Sequence, residues 1–299
     1  MITRLTAVLM LVAACAAGAA EPYPSRPVRL VVGYAAGGPT DVLTRVAAQG
    51  ISERLKQQFI VENRTGAGGN IAAESVIRAA PDGYQILVVA TAYVINPSLY
   101  PNLPFDFLRD VAPVAGLARI SYVVAVYPGL PINSISDLIA YAKANPGKVN
   151  FASGGIGSSS HLSTEILKAM TGTDMTHVPY KGNAPAYADL RTGRIQLILA
   201  DRLSAQPHLQ SGALRPIAVT STARNDALAN VPTVAETVPG YEASAFYGFA
   251  APKGTPPEIL DALNRAINAA LADPKIQARF AELDATALVF SRTEFAAFL

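Results

Sequence analysis

The chain has 299 residues, 51% of them hydrophobic and 15% charged, which suffices to bury the cores of two domains and is too apolar for a disordered protein. Lysine plus arginine number 24 against 22 aspartate plus glutamate, a formal charge of +2 with no basic run, which argues against nucleic acid as a partner.

The opening segment, "MITRLTAVLMLVAACAAGAA" (1–20), is ordered like an export signal: a cationic start at Arg4, an apolar stretch from Leu5 to Ala14, and small residues Ala17-Gly18-Ala19 for cleavage. The stretch is short for a membrane span, and no later run of about 20 residues is apolar enough to be one. The expected mature protein is soluble and lies outside the cytoplasm. Cys15, the single cysteine, falls inside this segment, so the mature chain holds no disulfide. A rival reading takes "VAAC" (12–15) as a lipoprotein box with Cys15 acylated; the small-residue tail through Ala20 suits ordinary cleavage better.

Beyond it, apolar runs alternate with helical periodicity. "VRLVVGY" (28–34) reads as a buried strand, and Leu43, Val46, Ala47, Gly50, Ile51 and Leu55 give the next segment one apolar helical face. "FIVEN" is a second strand, "GAGGN" a loop, and a helix follows through Ala72 to Ala80, stopped by Pro81-Asp82-Gly83. "YQILVVA" (84–90) is a continuous apolar strand, as expected where both sheet faces are covered. This βαβαβ start predicts a parallel sheet with helices on both sides. "SYVVAVYP" (121–128) is a further strand, Ile135 to Ala144 a helix ended by Asn145-Pro146-Gly147, and "KVNFAS" (148–153) a strand entering a second glycine-serine loop. The helix after that loop carries Leu162, Ile166 and Met170 on one face. "QLILA" (196–200), "LRPIAVT" (214–220) and "AFYGFAAP" (245–252) are strands, and helices run from about Pro257 to the end. The fold class is α/β, doubly wound.

Two junctions share one design. Ala35-Ala36-Gly37-Gly38, closed by Pro39-Thr40-Asp41, and Ser153-Gly154-Gly155-Ile156-Gly157-Ser158 each lead from a strand into a helix. Such carboxyl ends of strands are where α/β folds bind ligands. A helix start there offers unpaired amides and about half a positive charge, and glycine lets a ligand approach the backbone, a physical recipe for holding an anion. Glycines kept only for a tight turn are the plain alternative. No phosphate-loop or G-x-G-x-x-G pattern occurs, and no G-x-S-x-G supports a serine hydrolase, although His161 lies near Ser158 in sequence and a general base there is the rival it offers. His161, His177 and His208 are scattered, so no metal or cofactor set is expected.

Six segments then become specific: "YPSRPVRLVVGYAAGGPTDVLTR", "VENRTGAGGNIAAESVIRAAPDGYQIL", "INPSLY", "LIAYAKANPGKVNFASGGIGSSSHLSTE", "HVPYKGNAPAYADLRTGRIQL" and "VPTVAETVPGYEASAFYGFAAPKGTP". In this order, over essentially the whole mature chain, they resemble the Bug family (TctC-like) of extracytoplasmic solute-binding proteins of tripartite tricarboxylate transporters. The resemblance implies a two-domain periplasmic binding protein, type II-like, with a ligand cleft between domains joined by crossing strands. Domain 1 would be 23–122 with 243–299, and domain 2 would be 123–242. The implied role is non-enzymatic: a monomer captures a small organic carboxylate (a di- or tricarboxylate, amino acid or aromatic acid) and delivers it to membrane transporter subunits. Signalling to a membrane sensor and an exported hydrolase using a serine of "GSSSH" are the alternatives.

The resemblance assigns the first clamp to Tyr34, Ala36, Gly37, Gly38, Thr40 and Asp41, and the second to Ser153, Gly155, Gly157, Ser158, Ser159 and His161. Tyr180, Lys181, Gly182 and Asp201 match positions facing the family cleft, with Tyr93 and Asn96 closing its side. Amides of Gly37, Gly38, Gly157 and Ser158 would hold carboxylate oxygens, with hydroxyls of Thr40 and Ser159 adding donors. Asp41 would cap its helix or meet a ligand ammonium or hydroxyl, Asp201 would disfavour a second anion beside it, and Lys181 is either a counter-charge or a solvated lysine. The chain departs from the family pattern at Gly33, at Arg202 after Asp201, and at Phe246 and Tyr247 where a tryptophan is frequent. Arg202 either reaches the cleft to bind a second carboxylate or points outward.

Overall fold

The computed structural model describes residues 22–224 and 228–299; residues 1–20, expected to be an export signal, with Cys15 lie outside the described residues. Val28–Val32 forms β1, buried at all but one position, as a central parallel strand requires. After it come α1 (Pro39–Leu55), β2 (Phe59–Asn63), α2 (Asn70–Ile77), β3 (Gln85–Ala90), α3 (Ala92–Leu99), the short α4 (Phe107–Asp110) and the long β4 (Val111–Ser121). The next stretch holds β5 (Val123–Val126), α5 (Ile135–Ala144), β6 (Val149–Ser153), α6 (Ser159–Thr171), β7 (Met175–Pro179), α7 (Ala186–Arg191), β8 (Leu197–Ala200), α8 (Arg202–Gln210) and β9 (Arg215–Val219). The chain ends with β10 (Ser244–Pro252), α9 (Pro257–Leu271), α10 (Pro274–Glu282), β11 (Ala285–Ala287) and α11 (Arg292–Phe298).

These strands make two sheets, each the centre of one lobe: β11-β4-β10-β3-β1-β2 and β7-β6-β8-β5-β9. The parallel expectation holds for β2–β1–β3, where Val32 stands level with Asn63 and Val88. Beyond β3 it fails, because β10 arrives from the other lobe and runs antiparallel to β3 and to β4. The second sheet is mixed for a similar reason: β5 runs antiparallel to both β8 and β9, while β6 is parallel to β7 and β8. β4 and β7 escape the sequence reading. β4 contains Pro113 and Gly116, and register shifts in its pairing with β10 accommodate both.

On α1, Leu43, Ala47, Gly50 and Ile51 are buried as expected, and Gly50 lets Ala270 of α9 approach to 3.2 Å of where a Cβ would stand. α6 departs from expectation. Ile166 and Met170 face solvent, while Ser160, Ser163, Thr164 and Leu167 are buried. The hydroxyls tolerate burial because Ser163 and Thr164 donate to the carbonyls of Ser159 and Ser160 one turn back.

Tyr122 alone separates β4 from β5, so the chain crosses between lobes in one residue. Thr220, fully buried at the return crossing, ties both passages together. Its hydroxyl accepts from Tyr122 N at 2.8 Å and donates to Ala243 O at 2.6 Å.

Candidate functional site

β1 ends at Val32, and the chain then passes over Tyr93 and Gly69 so closely that a Cβ at Gly33 would overlap the Tyr93 hydroxyl. Gly37 takes φ +81°, a left-handed turn that glycine adopts without strain. Gly38, the N-cap of α1, carries no side chain, so no side chain caps this helix start. Asp41, 2% exposed, is committed to its own loop: it accepts from Gly37 N at 2.9 Å, Arg45 Nη2 at 2.9 Å and Asn63 Nδ2 at 3.0 Å. Burial by itself would raise the Asp41 carboxyl, but bonds from Arg45, Gly37 and Asn63 outweigh it and hold the group below the usual range.

The second junction is bound up in the same way. Ser153, fully buried, bonds His177 Nε2 at 2.6 Å and takes the Gly155 amide at 3.1 Å. Ser158 caps α6: it accepts from His161 N at 3.4 Å and donates to Gly155 O at 2.7 Å. His161 Nδ1 accepts from Gly157 N at 3.2 Å, and its ring stacks on His177 with centroids 3.8 Å apart. Burial first, then repulsion from His161, pushes His177 down to about 4, and burial also lowers His161. The Ser158–His161 base pair that a hydrolase would need is not formed, because the Ser158 hydroxyl donates to Gly155 O and the ring nitrogen faces the Gly157 amide.

All four amides assigned from sequence are engaged within their own loops. Gly37 and Gly157 donate as described, Gly38 donates to Ala35 O at 3.4 Å, and Ser158 to Gly155 O at 3.1 Å. The next amides inward, Thr40 and Asp41 of α1 and Ser159 and Ser160 of α6, are first-turn groups with no intrahelical partner.

Tyr122, the single crossing residue between β4 and β5, and Tyr247 of β10 stand beside these helix starts. Tyr122 OH donates to Ser159 Oγ at 2.6 Å, Tyr247 lies beside the Thr40 side chain, and burial first, then Tyr122, with Asp201 and Tyr34 adding to it, raises the Tyr247 hydroxyl well above its usual range. Sequence reasoning noted Tyr247 only as a departure and missed Tyr122; a tyrosine in an apolar run carries no local signal that separates it from core.

The other expected residues divide. Tyr34 donates weakly to Gly68 O at 3.4 Å, and Tyr93 and Asn96 form a wall beside it. Gly157, from the opposite lobe, closes on that wall: its Cβ position lies 2.5 Å from Leu99 Cδ1 and 3.6 Å from Asn96 Oδ1. Tyr180 turns into its own lobe, donating to Asp189 at 2.6 Å, Lys181 is exposed, and the Gly182 amide braces Gly154 O at 3.1 Å. Asp201 caps α8, taking Ser204 N at 2.9 Å, Ser204 Oγ at 2.6 Å and Asn183 Nδ2 at 3.1 Å. Arg202 reaches the other lobe, where it donates to Glu282 O at 2.9 Å. With Arg45 and Arg202 both occupied and Lys181 in solvent, the positive character at the junction comes from the two helix starts. Among the described residues no three metal-ligating side chains converge.

The sequence profile of the tripartite tricarboxylate transporter family receptor matches residues 43–299. Protein BugT of Bordetella pertussis is 37% identical over 294 residues, spanning 96% of this chain and 90% of BugT. An R. palustris protein solved with adipate is 37% identical and superposes with a TM-score of 0.87, over 92% of this chain and 93% of its own. MatC from Rhodopseudomonas palustris, solved with bound malate, is 31% identical with a TM-score of 0.82, over 92% and 96%.

Proposed function

The chain belongs to the tripartite tricarboxylate transporter receptor family, and from that premise we propose that it is a periplasmic solute-binding protein. It captures a small organic carboxylate between its lobes and delivers it to the membrane subunits of such a transporter, doing no chemistry on the ligand. The observation that carries this reading is the meeting of two uncapped or serine-capped helix starts. Ser159 of α6 accepts from Tyr122 and Thr40 of α1 lies beside Tyr247, the two tyrosines being close neighbours, which supports first-turn amides that address one locus. The relatives solved with adipate and with malate hold small dicarboxylates, which supports the same class here.

In this reading residues 1–20 direct export, and the protein acts as a monomer. Its domains are 23–122 with 243–299, and 123–242. Thr40, Ser159 and the amides at both helix starts hold a carboxylate with help from ordered water, while Tyr34, Tyr93 and Asn96 form the wall. The Gly37, Gly38, Gly157 and Ser158 amides join only when their loop bonds open. The test uses the chain lacking residues 1–20, refolded to remove co-purified ligand, in thermal shifts with succinate, malate, citrate, glutamate, aspartate, nicotinate and terephthalate beside neutral amides of several. Stabilisation by an acid and not by its amide is expected; equal stabilisation by both would overturn carboxylate capture.

A further inference from the structure

Asn96 is 1% exposed and stands on α3 in the wall that faces the second glycine loop. Its Nδ2 donates to Asn70 Oδ1 at 2.7 Å and to Gly68 O at 3.3 Å. The Gly68 carbonyl can only accept, so turning the Asn96 amide over would set oxygen against oxygen, and the orientation is dictated by chemistry. Oδ1 therefore points the other way, where it is buried with no hydrogen-bond partner. Native structures rarely leave such an acceptor unmatched. The oxygen lies 3.7 Å from the Cβ position of Gly68 and 3.6 Å from that of Gly157, between loops of opposite lobes at positions that carry no side chain. Gly157 is two residues before Ser159, whose amide opens α6. An acceptor in that place faces a ligand whose carboxylate is held at the helix start.

Three ligand groups compete for it. A second carboxylate offers only lone pairs, and Oδ1 repels it. An ammonium offers protons but needs a counter-charge, and the nearby carboxylates are consumed, Asp41 by Gly37, Arg45 and Asn63 and Asp201 by Ser204 and Asn183. A hydroxyl donates one proton and brings no charge. Resting on the carboxylate reading above, we propose that Asn96 Oδ1 accepts a hydrogen bond from a ligand hydroxyl, which makes this protein selective for hydroxycarboxylates over the parent acids and over amino acids.

Calorimetry on the refolded protein, with acids that differ by one group, tests this: succinate, malate and aspartate, then propionate and lactate. The hydroxy acid is expected to bind about tenfold more tightly than its parent, because the parent leaves a buried acceptor unpaired. In Asn96→Ala the ratio falls toward one, and in Asn96→Asp aspartate gains on malate, since the new carboxylate balances the ammonium. A wild-type ratio at or below one overturns the inference and leaves carboxylate capture standing, as does a folded Asn96→Ala that keeps the full ratio. If no acid binds at all, the carboxylate reading falls and this inference with it. The wild-type ratio decides even if neither variant folds.

Discussion

Arg202 and Asp284 join the two lobes beside the cleft. Arg202 Nε lies 3.5 Å from Asp284 Oδ2, within ion-pair distance though outside hydrogen-bond geometry, and its Nη2 anchors on the Glu282 carbonyl at 2.9 Å. Both side chains are largely buried, at 11% and 15% exposure, so solvent screens the pair less than it would at the surface. Arg202→Gln is expected to lower stability by about 1–3 kcal/mol through the lost charged hydrogen bond, measured by urea unfolding. The ligand-free variant should also show a larger radius of gyration in small-angle scattering; an unchanged radius would mean that Arg202 does not hold the lobes together.

Gly157 reports on closure. It has φ +76°, and a Cβ there would stand 2.5 Å from Leu99 Cδ1 of the facing lobe. Gly157→Ala should cost about 1–2 kcal/mol in backbone strain and weaken carboxylate binding beyond that by holding the lobes apart. Adding Leu99→Ala should recover the second loss and not the first, which calorimetry on the double variant would separate.

Gly38 gives the opposite pattern. Its φ of −78° is ordinary, and a Cβ would meet only Ala35 O at 3.4 Å, so a side chain there enters open space at the start of α1. Gly38→Val should leave the melting temperature nearly unchanged and abolish binding by crowding the Thr40 and Asp41 amides. Wild-type affinity in that variant would remove the first loop from the site.

The stacked histidines make stability depend on pH. An unfolded imidazole takes up its proton as pH falls through about 6.5, whereas folded His177, pushed down by burial and by His161, does so only at about 4. Its contribution is complete above pH 6.5 and declines as pH falls from there toward 4. In His177→Gln the fall in melting temperature over that window should be shallower than in wild type. Equal slopes would place the acid sensitivity elsewhere.

What could be read from the sequence was local. The strand–glycine–helix junctions at 33–39 and 153–158 and the buried face of α1 follow from periodicity and turn chemistry within a few residues, whereas the caps at Ser158 and Asp201 emerge only in the structure. The order of family-like segments added the two-lobed fold. β4 was hidden because Pro113 and Gly116 mark breaks unless β10 lies alongside. The outward face of α6 was misread because an apolar repeat at 162, 166 and 170 outweighed hydroxyls that bond their own helix.

The sequence by itself determined where two helix starts free of bulky side chains lie, the places proposed to meet an anion. Tertiary structure alone decided which groups are left to meet it. Gly37 and Gly157 lose their amides to Asp41 and His161, Arg202 is drawn away by Glu282 and Asp284, and Asn96 keeps one oxygen unpaired because Gly68 and Asn70 take its nitrogen. The reason is the direction of hydrogen bonds. A polar group's availability depends on which partners the fold brings to its other side, and at Arg202 and Asn96 those partners lie far along the chain.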